Sequence, residues 1–112
     1  MLAAEHELSF PNGVTESICF HCQQAVEKFL KAYLVFLGIP FTKTHEIGEL
    51  VTKCENKDKE ISAFKEVADK LTDYAIGVRY PEELLEPTLE EAKEAFEIAN
   101  KMRRFILSRI TL

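Results

Sequence analysis

Apolar residues recur at spacings of three and four near the start of the chain, which predicts an amphipathic helix over about residues 16–37. Its apolar stripe consists of Cys22, Val26, Phe29, Leu30, Tyr33 and Leu37. Thr15 is suited to cap the start of this helix, Gly38 is suited to its C-cap, and Pro40 prevents continuation. Because apolar residues cover most of the circumference, we expect the helix to be buried on several sides.

A narrow polar strip lies opposite the apolar stripe of the same helix. Gln24, Glu27, Lys28 and Lys31 fall within an arc of about 100°, at roughly 100° per residue, and Phe20 projects onto that arc. Glu27 and Lys31 have the order that favours an ion pair between successive turns. The strip is either the solvent-exposed face of the helix or the wall of a site.

The rest of the chain also has helical periodicity, with no sustained alternation of the kind that marks a strand. The predicted segments are a short helix over about residues 2–10, a third helix from residue 45 or 46 to about 54, a charged turn over 55–60, a fourth helix over about 61–75 and a last helix after Thr88. Thr88 and Glu91 have the spacing of a capping box. Residues 11–13 and 77–81 contain the Gly and Pro residues that break helices.

Each of these helices has an apolar side that we expect to face the core. The inward positions are Ile47, Leu50, Val51 and Cys54 in the third helix, Ile61, Phe64, Val67, Ala68, Leu71 and Ala75 in the fourth, and Leu89, Ala92, Ala95, Phe96, Ala99, Met102, Phe105 and Ile106 in the last. The predicted fold is all-α, an up-and-down bundle of four main helices plus a short N-terminal helix. With 112 residues, the chain is expected to form one domain, residues 1–112.

Composition narrows the class of protein. The net charge of −5 argues against strong nonspecific binding to nucleic acid, but it leaves local contact with RNA open. Three cysteines, an odd number, fit a reducing compartment better than a disulfide framework. No apolar run is long enough to cross a bilayer and the first residues carry acids, so we expect a cytoplasmic protein without membrane contact.

Charge is unevenly distributed near the end of the chain. Residues 82–97 contain seven glutamates and one lysine, and a basic group follows, formed by Lys101, Arg103, Arg104 and Arg109. Acids at the start and bases at the end of one helix complement its dipole, and this interpretation is favoured over a basic binding patch.

Cys19 and Cys22 have the spacing of a metal-binding pair, but no second closely spaced pair exists to complete a zinc site. Cys22 also belongs to the apolar stripe, where a thiol behaves as a small apolar group. We therefore interpret these residues as core cysteines, and we expect neither a metal nor a cofactor.

Two other residues carry candidate chemistry. His45, at the start of a predicted helix, is either a capping or turn histidine or a group that contacts a ligand or acts as a general acid or base. Arg79 lies in a predicted helix break, where it would either bind a phosphate or carboxylate or form a structural salt bridge with Glu27 or a nearby acid.

The segments CQQAVEKFLKAYL, KTHEIGELV and YAIGVRYPEE, followed by a Glu- and Ala-rich last helix, resemble the HEPN (higher eukaryotes and prokaryotes nucleotide-binding) domain family. The resemblance extends over residues 17–106 and keeps the order of the family's motifs. It implies a helical bundle, commonly a homodimer whose facing surfaces form a cleft. Many small members are encoded beside a minimal nucleotidyltransferase and act with it in two-component, often toxin–antitoxin, systems.

The resemblance also implies a set of residues that line a cleft for a nucleotide or RNA. They are Gln24, Glu27, Lys28, Lys31, His45, Arg79 and Tyr80. Ribonucleases of the wider superfamily use an arginine that is followed shortly by a histidine, but no histidine follows any arginine in this chain. We therefore expect a module that binds rather than cuts. The alternatives are a metal-independent ribonuclease toxin that uses His45 and Arg79, or a purely structural dimerisation partner.

Overall fold

Four α-helices and one 3₁₀ helix form the part of the protein that the computed structural model describes, residues 15–76 and 87–110. They are α1 (Thr15–Leu37), α2 (Ile47–Cys54), the 3₁₀ helix (Lys59–Phe64), α3 (Lys65–Ile76) and α4 (Leu89–Ile110). These residues contain no strand, so the predicted all-α bundle is confirmed. The predicted N-terminal helix, the breaks at 11–13 and 77–81 and the side chain of Ala75 lie outside the described part.

Helix α1 is the centre of the bundle, as its apolar circumference predicts. It contacts the other three α-helices and pairs most extensively with α4. Its described part, Thr15–Leu37, already includes Thr15 as a helical residue, so Thr15 is not the cap before the helix. The buried apolar side is wider than the predicted stripe, because it also includes Ile18, Cys19 and Leu34. None of the described helices, α1 included, has the length and apolar content needed to cross a membrane.

A glycine turns the chain back at the end of α1. Gly38 has φ 73°, the left-handed conformation that glycine adopts without steric cost. The amide of Gly38 donates to the carbonyl of Val35 at 3.1 Å, and the amide of Ile39 donates to the carbonyl of Leu34 at 2.9 Å. These two bonds form a Schellman motif, which satisfies the last carbonyls of the helix.

The connection after Gly38 returns along α1. His45 lies beside Glu27, so the connection covers about 15 Å of helix length, at about 1.5 Å per residue. Helix α2 then runs alongside α1 in the same direction, because the turn after α2 reaches the end of α1, where Lys57 Nζ donates to the carbonyl of Leu37 at 2.8 Å. This path brings a polar segment against the middle of α1.

Helices α2 and α3 approach each other closely at Gly48. A β-carbon at Gly48 would collide with the carboxylate of Asp69 on α3. Ile47, Leu50, Val51 and Cys54 are all buried, as predicted for α2. The helix begins at Ile47, slightly later than predicted, and Glu46 occupies its N-cap position without a capping side-chain bond.

The predicted charged turn over 55–60 is wrong in its second half. The 3₁₀ helix already begins at Lys59, and Asp58 caps it by accepting a hydrogen bond from the amide of Glu60 at 3.1 Å. A tight 3₁₀ turn is a common lead into an α-helix, here α3. Ile61, Ala68 and Leu71 are buried as predicted, and Phe64 and Val67 pack at the edge of the core.

Helix α4 begins with the predicted capping box. The amide of Thr88 donates to Glu91 Oε1 at 2.9 Å, and the amide of Glu91 donates to Thr88 Oγ1 at 3.0 Å. The predicted inward position of Leu89 is wrong, because Leu89 is the first residue of the helix, ahead of the turns that pack on the core, and it is exposed. Ile98, which the pattern missed, is buried, whereas Phe96 and Phe105 are half-buried.

Candidate functional site

Glu27 is the centre of a polar cluster on the middle of α1. Its Oε2 accepts a hydrogen bond from Lys31 Nζ at 3.0 Å, which confirms the predicted pair between successive turns. Its Oε1 lies 3.0 Å from His45 Nδ1. The Glu27 side chain is only 9% exposed, whereas the side chain of His45 is 84% exposed. The carboxylate of Glu27 is therefore buried, and its two partners, Lys31 and His45, lie between it and solvent.

The partners of Glu27 stabilise its ionised form. Burial alone raises the pKa of the carboxyl, but the hydrogen bonds from His45 and Lys31 outweigh this effect and leave the pKa below its ordinary value. Glu27 is thus an anion that accepts from both neighbours.

A buried amide that sequence reasoning missed fixes the backbone at the same place. Gln23 is 5% exposed. Its Nε2 donates to the carbonyl oxygen of His45 at 2.7 Å, and its Oε1 accepts from Thr72 Oγ1 of α3 at 3.3 Å. Gln23 lies one turn before Glu27 on α1, and this spacing is the one signal that could have linked it to the site.

The segment around His45 is a turn that has its own support. Thr44 Oγ1 accepts from the amide of Glu46 at 3.1 Å and donates to Glu49 Oε2 at 3.2 Å. The turn interpretation of His45 therefore describes its backbone. Its imidazole caps no helix, because the ring contact given above is with Glu27.

The remaining predicted site residues fall into two groups. Lys28 is exposed and Gln24 is half-buried on the outer face of α1, near the exposed Phe20. Arg79 and Tyr80 lie outside the described residues. Of the seven predicted residues, the structure thus brings Glu27, Lys31 and His45 into contact.

A second polar cluster joins the ends of three segments. Tyr33 donates its hydroxyl to Asp58 Oδ2 at 2.5 Å, and Arg109 Nε lies 3.2 Å from the same oxygen. Arg109 also bonds to Glu60 and lies over the ring of Phe105. Burial, and then the bond to Asp58, raise the pKa of Tyr33 well above its ordinary value. These contacts tie the end of α4 to the start of the 3₁₀ helix, and Asp58 links both to Tyr33 of α1.

The three cysteines confirm the core interpretation. Cys19, Cys22 and Cys54 are all buried, and none forms a disulfide. Burial, followed by the nearby charge of Asp58, raises the pKa of Cys54 to about 12. In residues 15–76 and 87–110, no group of three His, Cys, Asp or Glu side chains is arranged to hold a metal ion.

Comparison with known protein families gives a match over nearly the whole chain. The profile of the HEPN domain family matches residues 3–110, nearly the whole chain. No curated protein and no solved structure matches. The all-helical bundle agrees with this family match. The chain belongs to the HEPN domain family.

Proposed function

We propose that this protein is a HEPN module that binds a nucleotide or RNA phosphate on the outer face of α1 and acts as a homodimer with a minimal nucleotidyltransferase. The observation that supports binding is the Glu27 cluster, because one buried carboxylate holds a cation and an imidazole at the surface. Such a group is preorganised, so a ligand would meet it without the cost of ordering long side chains.

The charge of this face favours an anion. Lys28 and Lys31 project from successive turns of α1, and Glu27 neutralises part of this charge. Lys31 has a fixed position because it is paired, whereas Lys28 is exposed and can follow a ligand. Arg79 and Tyr80 complete the proposed set through the family resemblance alone. Binding carried by a few lysines would be mainly electrostatic and sensitive to salt.

Calorimetric titration with adenosine monophosphate and with a short single-stranded oligoadenylate tests the proposed site. We expect heat of binding with the wild type, affinity that falls as salt is added, and an affinity about three- to tenfold lower in Lys31→Ala, because one charge contact is lost. Arg79→Ala is expected to weaken binding as well. Lys93→Ala is the matched control, since Lys93 is an exposed lysine on α4. Equal affinities in the wild type and Lys31→Ala would remove this site.

The homodimer is supported by exposed apolar groups on the same helix. Phe20 is 50% and Val35 is 71% exposed. They project from the same face of α1, roughly 22 Å apart along its axis. In a twofold pair of antiparallel α1 helices, Phe20 of each copy would meet Val35 of the other. The axis would then pass near Glu27 and Lys28, so the polar strips of both copies would line one cleft.

Sedimentation at micromolar concentration tests this arrangement. The wild type is expected to be dimeric, and both Phe20→Glu and Val35→Glu are expected to be monomeric, because each would place two charges in an apolar contact. Leu89→Glu is the control, since it changes an exposed apolar residue on α4. A monomeric wild type, or variants that all remain dimeric, would contradict the α1 pairing.

The nucleotidyltransferase partner is supported by the family resemblance. The polar cleft proposed above would lie at the dimer centre, and the partner would then bind elsewhere on the bundle. Mixing the purified protein with a minimal nucleotidyltransferase encoded beside it would test this part of the proposal by formation of a complex.

A further inference from the structure

The hydrogen bond to Glu27 fixes which nitrogen of His45 carries a proton. An ionised carboxylate accepts hydrogen bonds and donates none, so the hydrogen in the 3.0 Å contact must lie on Nδ1. In the neutral imidazole, Nε2 is then a bare acceptor. The side chain is 84% exposed, and no residue in the described part of the chain bonds to Nε2. His45 therefore presents a hydrogen-bond acceptor to solvent.

Gln23 keeps this acceptor in place. The connection that carries His45 is irregular, and its backbone is held against α1 by the 2.7 Å bond from Gln23 to the carbonyl of His45. Thr72 of α3 holds the other end of the same amide. The backbone and the ring of His45 are thus fixed by side chains one turn apart on α1, Gln23 and Glu27.

A cation lies close to the acceptor, because both are bonded to Glu27. Lys31 bonds to one oxygen of the Glu27 carboxylate and His45 to the other. Lys31 Nζ and His45 Nδ1 can be separated by about 8 Å at most, which is two hydrogen bonds plus the width of a carboxylate. Because Nε2 lies across the same ring from Nδ1, Lys31 Nζ and the acceptor Nε2 are separated by about 10 Å at most. A phosphate and a sugar hydroxyl of a single nucleotide fit within this span.

A phosphate oxygen has no hydrogen to donate near neutral pH, so it suits Lys31 and does not suit a neutral Nε2. The sugar hydroxyl does have one. Inside an RNA strand the 3′-oxygen is esterified, so the 2′-hydroxyl is the hydroxyl that remains, and it is absent from DNA.

We propose that His45 Nε2 accepts a hydrogen bond from a ribose 2′-hydroxyl, with Glu27 and Gln23 as positioning residues, and that the site therefore prefers RNA to DNA of the same sequence. This inference rests on the proposed binding of a nucleotide phosphate at Lys31. It assigns His45 to the sugar and Lys31 to the phosphate.

Affinities for oligoadenylate and oligodeoxyadenylate of equal length test this assignment. The wild type is expected to bind the RNA about three- to tenfold more tightly, the factor that one neutral hydrogen bond supplies. His45→Ala and Gln23→Met are expected to lose this preference, with little change in affinity for the DNA. Lys31→Ala is expected to weaken both ligands by the same factor and to keep the preference.

Failure of this inference and failure of the proposed function give different results. Equal wild-type affinities for the two strands, or a preference that survives in His45→Ala, would overturn this inference and leave phosphate binding intact. Absence of binding by either strand would remove the proposed function and the inference with it. Val26→Ala controls for lost stability, because it weakens the core of α1 between Gln23 and Lys31 without touching a polar group, and it should keep the preference.

The imidazole itself gives a readout that needs no ligand. Nitrogen chemical shifts of His45 are expected to show hydrogen on Nδ1 in the wild type and a larger share on Nε2 in Gln23→Met. If Gln23→Met does not fold, Thr72→Val removes the support of the same amide and should produce a smaller shift in the same direction. A wild-type ring with its hydrogen on Nε2 would overturn the assignment, and a tautomer unaffected by both variants would remove Gln23 from it.

Discussion

Replacing Asp58 by alanine is expected to lower the free energy of unfolding by about 3 kcal/mol, because one carboxylate serves three partners. It accepts from the Tyr33 hydroxyl at 2.5 Å and from the amide of Glu60 at 3.1 Å, and its Oδ2 lies 3.2 Å from Arg109 Nε. The substitution would leave the buried Tyr33 hydroxyl without its acceptor and the 3₁₀ helix without its cap. Chemical denaturation monitored by circular dichroism measures the loss.

Two comparisons test whether the loss of stability comes from the three contacts of Asp58 and not merely from removing an acidic side chain. Asp69→Ala removes an exposed ion pair with Lys65, and it is expected to cost less than about 1 kcal/mol. Tyr33→Phe is expected to cost less in the Asp58→Ala background than in the wild type, since the bond between them is already absent. If Asp58→Ala cost no more than Asp69→Ala, the three contacts would not be stabilising the fold.

Glu27→Gln is expected to lower the free energy of unfolding by about 2 kcal/mol near neutral pH, because a charged acceptor of two hydrogen bonds becomes neutral. The effect should depend on pH. The pKa of Glu27 is lowered in the folded protein, so the ionised form stabilises the fold above the unfolded-state pKa. This stabilisation is lost as the pH falls through the lower, folded-state pKa. The gap between wild type and variant should therefore be full above about pH 4.5, the ordinary value of a glutamate, and shrink below it.

Denaturation of both proteins at a series of pH values, from about neutral to about pH 3, measures this gap. Glu97→Gln is the control, because Glu97 is an exposed glutamate on α4. A difference in the free energy of unfolding that stayed constant over the whole pH range would show that the charge of Glu27 does not stabilise the fold.

The parts of the structure that follow from local spacing could be predicted from the sequence. The apolar stripe of α1 and the capping box at Thr88 each depend on residues within one or two turns. The burial of Glu27 and Gln23 could not be predicted in this way. Both are covered because an irregular connection returns along α1, and no periodic pattern encodes the path of such a segment.

The 3₁₀ helix could not be predicted for a similar reason. Asp58 lies in a run of charged residues that suggests a solvated turn, yet its partners Tyr33 and Arg109 come from distant parts of the chain.

For the candidate site, the resemblance to HEPN domains indicated Glu27, Lys31 and His45, and the structure shows that they are in contact. It indicated nothing about Gln23, whose role depends on a carbonyl rather than on a side chain.

The three buried thiols can report local opening of the fold, because a reagent reaches them only when the helices that cover them separate. Only a thiolate reacts readily with alkylating reagents, and with burial and a pKa of about 12 Cys54 is shielded while α2 stays packed. Cys19 and Cys22 are buried on α1. The alkylation rate of Cys54 thus measures how often α2 detaches, and the rates of the other two measure how often the central helix is uncovered. Since the connection that carries His45 leads directly into α2, labelling of Cys54 reports how stably the end of that connection is held, without any ligand.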